Sequence, residues 1–375
     1  MFFPKFFIEN LRRMLWKIGL FLPLFFSQNL DAQSVVMDSA SLREVVISSV
    51  RVGSESPVPH TNLNKKQLAD RNQGQDVPYL LKTLPSAVES SDAGAGVGYT
   101  ALRIRGADPT RTNVTINGIP LNDAESQGVF WVDLPDFASS SDEIQVQRGV
   151  GSSTNGAGAF GATVNLLTTT LKTEPYAVCE GSFGSFSTKK SAINIGTGLL
   201  QHGFSFDGRL SAINSDGFVD RAASDLKSWF LTGAWVGNRA SVRANIFSGH
   251  ERTYQSWYGL PVQYIDNQSL ITYNAAGMER PLSPYKDQVD DYGQTHYQLI
   301  FNQKLTENLR VNLNLHRTDG AGFYEEYKSG QNLADYAFPT DSTTENTDLI
   351  RQKWLDNRFQ GATWAIFFQK NKTAP

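Results

Sequence analysis

Residues 297–302 read Tyr-Gln-Leu-Ile-Phe-Asn, and residues 311–316 read Val-Asn-Leu-Asn-Leu-His. Apolar and polar residues alternate through both stretches, with Ile300 as the one exception. Residues 242–246 (Val-Arg-Ala-Asn-Ile) repeat the pattern. Because successive side chains of a β-strand point to opposite faces, this period of two predicts strands with one apolar and one polar face.

Alternation of this kind fits a soluble β-sandwich and an outer-membrane barrel equally well. Two further features favour the barrel. Its apolar face includes Trp229, Leu231 and Trp235, and the polar stretch from Ser248 to Asp291 is much longer than a sandwich turn. Long loops at one edge and short turns at the other are typical of a transmembrane barrel. A helical period is absent after about Leu171, which argues against an enzyme of alternating strands and helices.

The region before Leu171 predicts a small α+β domain. Lys65–Arg71 is predicted as a short helix, and Asp76-Val-Pro78 begins a second helix that Pro85 ends. Asn117-Gly118 is the sequence of a type I′ hairpin turn. Strands are predicted at Leu102–Arg105, Asn113–Ile116 and Ile144–Arg148.

Composition excludes several classes of protein. The chain has 375 residues and a net charge of −3, without the basic stripe that nucleic-acid binding requires. Its single cysteine, Cys179, and five scattered histidines give no disulfide framework and no metal site. The acidic pairs are expected on solvated turns: Asp123 with Glu125, Asp142 with Glu143, and Glu325 with Glu326.

The N-terminus predicts an export signal over residues 1–32. Lys5, Arg12, Arg13 and Lys17 precede an apolar run over residues 18–26, and a polar stretch then leads to Ala32. This order of basic, apolar and small residues is that of a signal peptide, whichever of Met1 or Met14 is the start. The alternative is an N-terminal anchor helix, which the short, proline-interrupted run disfavours.

Residues 156–161 (Gly-Ala-Gly-Ala-Phe-Gly) have the GxGxxG spacing of a dinucleotide-binding loop. A strand-like stretch from Ala162 to Thr168 follows, whereas that loop must open a helix. We therefore interpret the glycines as a tight structural loop. No motif of a catalytic site is present, so no catalytic residue, cofactor or metal ligand is predicted.

Six stretches in this order resemble the N-terminal half of a TonB-dependent outer-membrane receptor. They are Leu42–Ser48, Leu84–Val88, Leu102–Gly106, Val114–Asn122, Ile144–Gly149 and Gly156–Thr168. The resemblance covers about residues 42–168. It implies an α+β plug domain followed by an antiparallel transmembrane β-barrel that encloses it, with 22 strands in the family.

The resemblance divides the chain into four parts. Residues 1–32 are a signal peptide, 33–55 the TonB box and linker, 56–170 the plug domain, and 171–375 the N-terminal part of the barrel. A plugged transporter barrel needs about 22 strands, whereas the residues after 170 supply roughly ten. We expect the barrel to be incomplete here and the sequence to be part of a longer receptor.

The TonB box implied by the resemblance consists of Glu44, Val45, Val46, Ile47 and Ser48. An extended segment beyond a flexible linker can add as a strand to the sheet edge of a partner protein. The partner implied is TonB of the inner-membrane energising complex. The alternative is that this segment is an ordinary edge strand of the plug. The prolines at 57 and 59, which separate the segment from the plug, disfavour that alternative.

The resemblance also implies roles inside the barrel. Arg103, Arg105 and Arg148 match plug arginines that pair with carboxylates on the inner barrel wall. The candidates for substrate contact are Tyr99, Gln127, Phe130 and Trp131, which combine aromatic faces with polar groups. The alternative for Phe130 and Trp131 is packing between plug and barrel.

The function implied is energy-coupled uptake of a scarce nutrient across the outer membrane, with a ferric siderophore as the first expectation. Cobalamin, a peptide or another metal complex are alternative cargoes. A passive porin or adhesin, or a secreted β-rich protein, are alternatives of another class. The partners expected are TonB, the small ligand and outer-membrane lipid, with no nucleic acid.

Overall fold

The computed structural model describes residues 51–53, 56–150, 160–168, 171–337 and 346–368. The predicted signal peptide, the TonB box at Glu44–Ser48 and most of the loop at 156–161 lie outside these residues. A strand follows Gly161 directly, as predicted. No helix among the described residues is long and apolar enough to cross a membrane.

The first group of elements, which we call the plug, combines short helices with short strands. The helices are α1 (Lys65–Arg71), α2 (Val77–Leu80) and α3 (Phe137–Ser140). The strands are β1 (His60–Asn64), β2 (Ala87–Ser91), β3 (Thr100–Ile104), β4 (Thr112–Ile116), β5 (Ile119–Pro120), β6 (Glu143–Arg148) and β7 (Ala162–Leu167). The predicted α+β class is confirmed.

Helix α1 begins and ends where the sequence predicts, and a capping box fixes its start. The Asn64 side chain accepts from the Gln67 amide, while the Gln67 side chain accepts from the Asn64 amide. Helix α2 has the predicted proline in its first turn, but it ends at Leu80. The prediction that it extends to Pro85 was wrong, because the chain after Leu80 forms turns that place the Leu81 and Leu84 side chains in the core.

Five plug strands form one mixed sheet in the order β1-β6-β7-β4-β5, in which only β4 and β7 run parallel. The hairpin between β4 and β5 has positive φ at both Asn117 (55°) and Gly118 (81°), which confirms the predicted type I′ turn. Strands β2 and β3 pair separately.

The two faces of the plug sheet differ in polarity although both are buried. One face packs on the helices through Val114, Ile144, Val164 and their neighbours, which form the main hydrophobic core. The other face carries amides and hydroxyls that bond to one another. Thr115 Oγ1, for example, donates to Asn165 Oδ1 at 2.7 Å. Burial of this polar face is possible because its groups are paired.

The second group of elements, the barrel sheet, is an eight-stranded antiparallel meander in sequence order. Its strands are β8 (Tyr176–Phe183), β9 (Lys189–Gly196), β10 (Phe204–Ser215), β11 (Ser224–Val236), β12 (Ala240–Tyr254), β13 (Val289–Thr306), β14 (Leu309–Asn332) and β15 (Asn346–Phe368). The connections at one end of the strands are short, down to two residues between β13 and β14. At the other end of the strands, residues 255–288 join β12 to β13. The long polar loop is therefore present, but its predicted bounds were too wide, because strand pairing continues to Tyr254 and resumes at Val289.

The barrel sheet turns its polar side chains inward and its apolar side chains outward. On β14, Asn312 and Asn314 are 3% and 4% exposed, whereas Leu313 and Leu315 are 38% and 44% exposed. On strand β11, Leu231 and Trp235 likewise point outward, whereas the inner face carries Ser228 and Thr232 together with the apolar Phe230. A soluble sandwich buries its apolar face, so the structure selects the transmembrane-type pattern over the sandwich.

Replacing Ile144 with Ala tests the plug core. Ile144 is fully buried on β6, the strand that joins β1 to β7. Loss of three buried carbons should destabilise the fold by about 2–5 kcal/mol. The measurement is the urea midpoint of the purified protein in detergent. Ile195→Ala, at a position 55% exposed on β9, is the control and should change stability by less than about 1 kcal/mol; equal effects would contradict the core assignment.

Candidate functional site

The plug meets the barrel sheet through its segment 131–141. Phe137 packs on Phe230 of β11 and Phe247 of β12, with ring centroids 6.2 and 5.2 Å away. Close approach needs a residue without a side chain at Gly249, where a Cβ would lie 2.0 Å from the carbonyl oxygen of Asp133. Segment 131–141 is therefore fitted tightly against the inner wall.

One buried carboxylate on this segment joins the plug to the barrel ionically. Asp136 Oδ1 lies 2.8 Å from Lys190 Nζ of β9, and Asp136 Oδ2 lies 3.2 Å from Arg209 Nη1 of β10. Ser211 Oγ on β10 donates to Asp136 Oδ2 at 2.7 Å. All three charged side chains are at most 3% exposed. Burial acts to raise the pKa of Asp136, but the charges of Arg209 and Lys190 outweigh it and lower this pKa.

The arginines predicted to make such pairs lie elsewhere. Arg103 Nη1 lies 3.4 Å from Asp108 of the plug itself, and both side chains are about half exposed. Arg105 is exposed, and Arg148 Nη1 donates to Thr61 Oγ1 at 3.0 Å. In the part of the chain that the structure describes, none of the three is seen to contact a barrel carboxylate, so that pairing stays a prediction. The observed plug–barrel ion pair has the opposite sense, with the carboxylate on the plug and the cations on the barrel.

A cavity of about 260 Å³ lies between the plug loop at 120–130 and the inner face of β12–β15. Its lining comprises Tyr99, Pro120, Leu121, Asn122, Asp123, Glu125, Ser126, Gly128, Val129, Phe130, Asp133, Leu134, Glu251, Asp290, Tyr292, Gln294, His296, Thr318, Leu355, Asn357 and Phe359. A concave site with aromatic walls and a few polar groups is the usual form of a small-ligand site. We therefore take it as the candidate functional site.

Tyr99 forms the floor of the cavity. Its hydroxyl lies 2.5 Å from Asp290 Oδ2 on β13 and 3.3 Å from Glu251 Oε1 on β12. Its ring makes an edge contact with Trp257 of the long loop, at a centroid distance of 5.5 Å. Burial, followed by the nearby charges of Glu251 and Asp290, raises the pKa of Tyr99, so the phenol keeps its proton.

Asp133 adds a third carboxyl group to this part of the cavity. Its side chain is 7% exposed. Burial, together with the charges of Asp290 and Asp123, raises the pKa of Asp133 to about 8. Among the described residues, no hydrogen bond to the Asp133 carboxyl group opposes this shift, whereas hydrogen bonds from Lys190 and Asn72 lower the pKa of Asp136.

The four residues predicted for substrate contact are only partly brought together. Tyr99 and Phe130 both line the cavity. Trp131 is 5% exposed and belongs to the hydrophobic core, in agreement with the packing alternative for this residue. Gln127 is exposed with φ +59°, and its backbone carbonyl accepts a hydrogen bond from Asn122. A substrate role for any of the four stays a prediction.

Sequence reasoning missed the acidic residues of the cavity. Glu251 and Asp290 lie far apart in the chain and in a stretch interpreted as loop, but the register of β12 and β13 brings them to the same end of the sheet. The expectation that acidic pairs occupy solvated turns was also wrong for Glu326, which lies on β14, is 6% exposed and contacts Arg351 Nη2 at 2.6 Å. Among the described residues, no group of three or more His, Cys, Asp or Glu side chains is arranged to hold a metal ion.

Comparison with known proteins identifies the plug. Residues 53–163 match the family model of the TonB-dependent Receptor Plug Domain. The resemblance to a TonB-dependent receptor found in the sequence motifs is thereby confirmed. No curated protein sequence matches the chain significantly.

Solved receptors share the fold of plug and barrel sheet. The ferric preacinetobactin receptor from Acinetobacter baumannii superimposes with a TM-score of 0.62 at 18% identity, over 83% of this chain and 44% of its own. The ferric-catecholate import receptor from E. coli K12 superimposes with a TM-score of 0.60 at 13% identity, over 84% of this chain and 47% of its own. The ferric yersiniabactin uptake receptor from Yersinia pestis superimposes with a TM-score of 0.57 at 13% identity, over 75% of this chain and 45% of its own. The chain thus spans less than half the length of these receptors, and at these identities the likeness shows the fold.

Replacing Asp136 with Asn tests the ionic contact between plug and barrel. The substitution leaves Lys190 and Arg209 buried without their carboxylate, which should destabilise the protein by about 3–5 kcal/mol. Chemical denaturation in detergent measures the change. The control is Asp225→Asn, whose ion pair with Lys227 is exposed and should matter by about 0–1 kcal/mol. If the two variants unfold at the same denaturant concentration, Asp136 does not anchor the plug.

Asp133 predicts a pH dependence of stability. Its pKa is about 8 in the folded protein and about 3.9 in an unfolded chain. Between these values the folded state holds a proton that the unfolded state has lost, so this group lowers stability as the pH rises from about 4 to 8. Asp133→Asn should remove that slope and raise the melting temperature at pH 8 more than at pH 5. An unchanged slope in Asp133→Asn would show that Asp133 is ionised throughout.

Proposed function

We propose, from the premise that residues 53–163 are a TonB-dependent receptor plug domain, that the chain forms part of an outer-membrane transporter for a scarce nutrient. The observation that carries the proposal is the pairing of this plug with a barrel sheet that exposes leucines and tryptophans on its outer face and buries amides and hydroxyls on its inner face. Such a sheet is suited to hydrocarbon outside and a hydrophilic filling inside. A secreted soluble protein would expose those leucines and tryptophans to water.

The location we propose is the outer membrane, with lipid as the neighbour of the apolar face. The end of the barrel that carries the long loop at 255–288 then faces the outside, and the end with short turns faces the periplasm, as in other outer-membrane barrels. Glu251 and Asp290 lie toward the long-loop edge, where Trp257 covers Tyr99. A ligand arriving from outside would meet this cavity before it meets the plug core.

The cargo we propose is a ferric siderophore. Support comes from solved structures of similar fold, which include receptors for ferric preacinetobactin, ferric yersiniabactin and ferric catecholates. Further support comes from the cavity between plug and barrel, which is lined by aromatic and polar groups. Cobalamin, a peptide or another metal complex would use the same route and remain the alternative cargoes.

Transport requires the plug to move, and we propose that TonB supplies the force through the segment Glu44–Ser48. An extended segment can pair with the sheet edge of TonB by main-chain hydrogen bonds. Force applied there reaches the plug sheet through residues 51–60. Val52 bonds on both its amide and its carbonyl to the Gln145 side chain of β6, at 2.9 Å each. The contacts of Asp136 with Lys190 and Arg209 resist the same force at the barrel wall.

Replacing Val46 with Pro tests the coupling to TonB. Proline removes one main-chain donor and fixes φ, so it should disrupt an added strand. We expect loss of energy-dependent uptake of the iron complex, with binding to the receptor unchanged. The measurement pairs uptake of radioactive iron by cells with ligand binding to isolated outer membranes.

Val46→Ala is the matched control, because it keeps the main-chain donor and should retain most of the uptake. Loss of binding in Val46→Pro would contradict the box assignment. Uptake that survives Val46→Pro would instead indicate a passive porin or adhesin.

A further inference from the structure

The cavity between plug and barrel carries acidic side chains from both the plug and the barrel sheet. Its lining includes five carboxyl side chains, contributed by the plug loop at 120–130, segment 131–141, β12 and β13. They are Asp123, Glu125, Asp133, Glu251 and Asp290. The described lining residues include no lysine and no arginine. An enclosed surface of one sign focuses its field and raises the local concentration of the opposite charge.

The hydrogen bonds at the floor contain more acceptors than donors. The Tyr99 hydroxyl has one proton, yet it lies within hydrogen-bond distance of Asp290 Oδ2 and Glu251 Oε1. The second oxygen of Asp290, Oδ1, is buried and has no partner in the described residues. Buried acceptors without donors are costly, so the floor is suited to receive a donor from outside the protein.

One further group on the wall, His296, has unused hydrogen-bonding capacity. His296 is 4% exposed, and its Nδ1 bonds to Thr318 Oγ1 at 3.0 Å, but its Nε2 is buried with no partner in the described residues. Asp290 and His296 both lie on β13, and both line the same cavity. Side chains with unmet bonding capacity around one void point to a ligand that supplies the missing groups.

We propose that this cavity selects a ligand with a protonated amine or other cationic group, which lies at the floor formed by Tyr99, Glu251 and Asp290. The cargo is then a neutral or cationic iron complex rather than an anionic catecholate or carboxylate complex. Phe130, Tyr292 and Phe359 supply aromatic faces in the same lining, and aromatic faces also attract cations. This inference rests on the proposed function, because it assigns the charge of the cargo that the transporter takes up.

A charged complex and its neutral derivative test the proposal directly. Ferrioxamine B carries one free ammonium group, N-acetyl-ferrioxamine B has the same iron centre without that charge, and ferric enterobactin is an anionic comparison. Each is titrated into the full receptor in detergent at pH 7.5, with quenching of tryptophan fluorescence as the readout. We expect ferrioxamine B to bind about tenfold more tightly than its acetylated form, the size of one charge-assisted hydrogen bond.

Two variants assign the preference to the cavity. Asp290→Asn keeps an acceptor for Tyr99 but removes a charge. It should reduce the preference to about twofold or less. Glu307→Gln is the control, because Glu307 lies in the short turn between β13 and β14 and is 73% exposed. It should keep the full preference.

The outcomes separate this inference from the proposed function. Equal binding of the two ferrioxamines, or a preference that persists in Asp290→Asn, overturns the charge assignment. Binding of ferric enterobactin only overturns the charge assignment and leaves uptake of an iron complex intact. If none of the three complexes binds, the iron-complex cargo itself is wrong, and the charge assignment for it falls as well.

Discussion

A β-sheet that buries its asparagines and exposes its leucines is stable only between two particular environments. Its outer face needs hydrocarbon, and its inner face needs a filling that satisfies polar groups. In this protein Leu313 and Leu315 lie on the outer face, while Asn312 and Asn314 lie on the inner face and bond to Asn302 and Thr363 of the neighbouring strands. The plug is the filling, and it meets the wall through Asp136, through the phenylalanines around Phe137, and by close backbone approach at Gly249.

Much of the fold follows from short-range signals in the sequence. Alternation at 311–316 predicts a strand because the period of two is a property of the extended backbone itself. Asn117-Gly118 predicts its hairpin because few other residues tolerate positive φ at both turn positions. Helix α1 is predictable from its polar cap and its single buried residue, Leu68. Helix α2 is shorter than predicted, because the proline at 85 shows where a helix cannot continue and not where it stops.

The candidate site is less predictable, because it is made by contacts between residues far apart in the chain. Tyr99 meets Glu251 and Asp290 only through the register of β12 and β13 against the plug, which no local pattern encodes. The arginines selected by family resemblance lie on other surfaces of the plug, whereas Asp136 makes the ionic contact with Lys190 and Arg209. No sequence signal distinguishes Asp136 from other acidic residues. Its left-handed backbone conformation becomes visible only in the structure.

The orientation of the barrel sheet is the central claim, and tryptophan quenching by brominated lipid tests it most directly. Two single-tryptophan forms of the receptor, retaining either Trp229 in the middle of β11 or Trp131 in the plug, are placed in bilayers brominated at mid-chain. The account predicts strong quenching of Trp229, which shares the outward face of Leu231, and none of Trp131, which is 5% exposed within the core. Quenching of Trp131, or an unquenched Trp229, would contradict it.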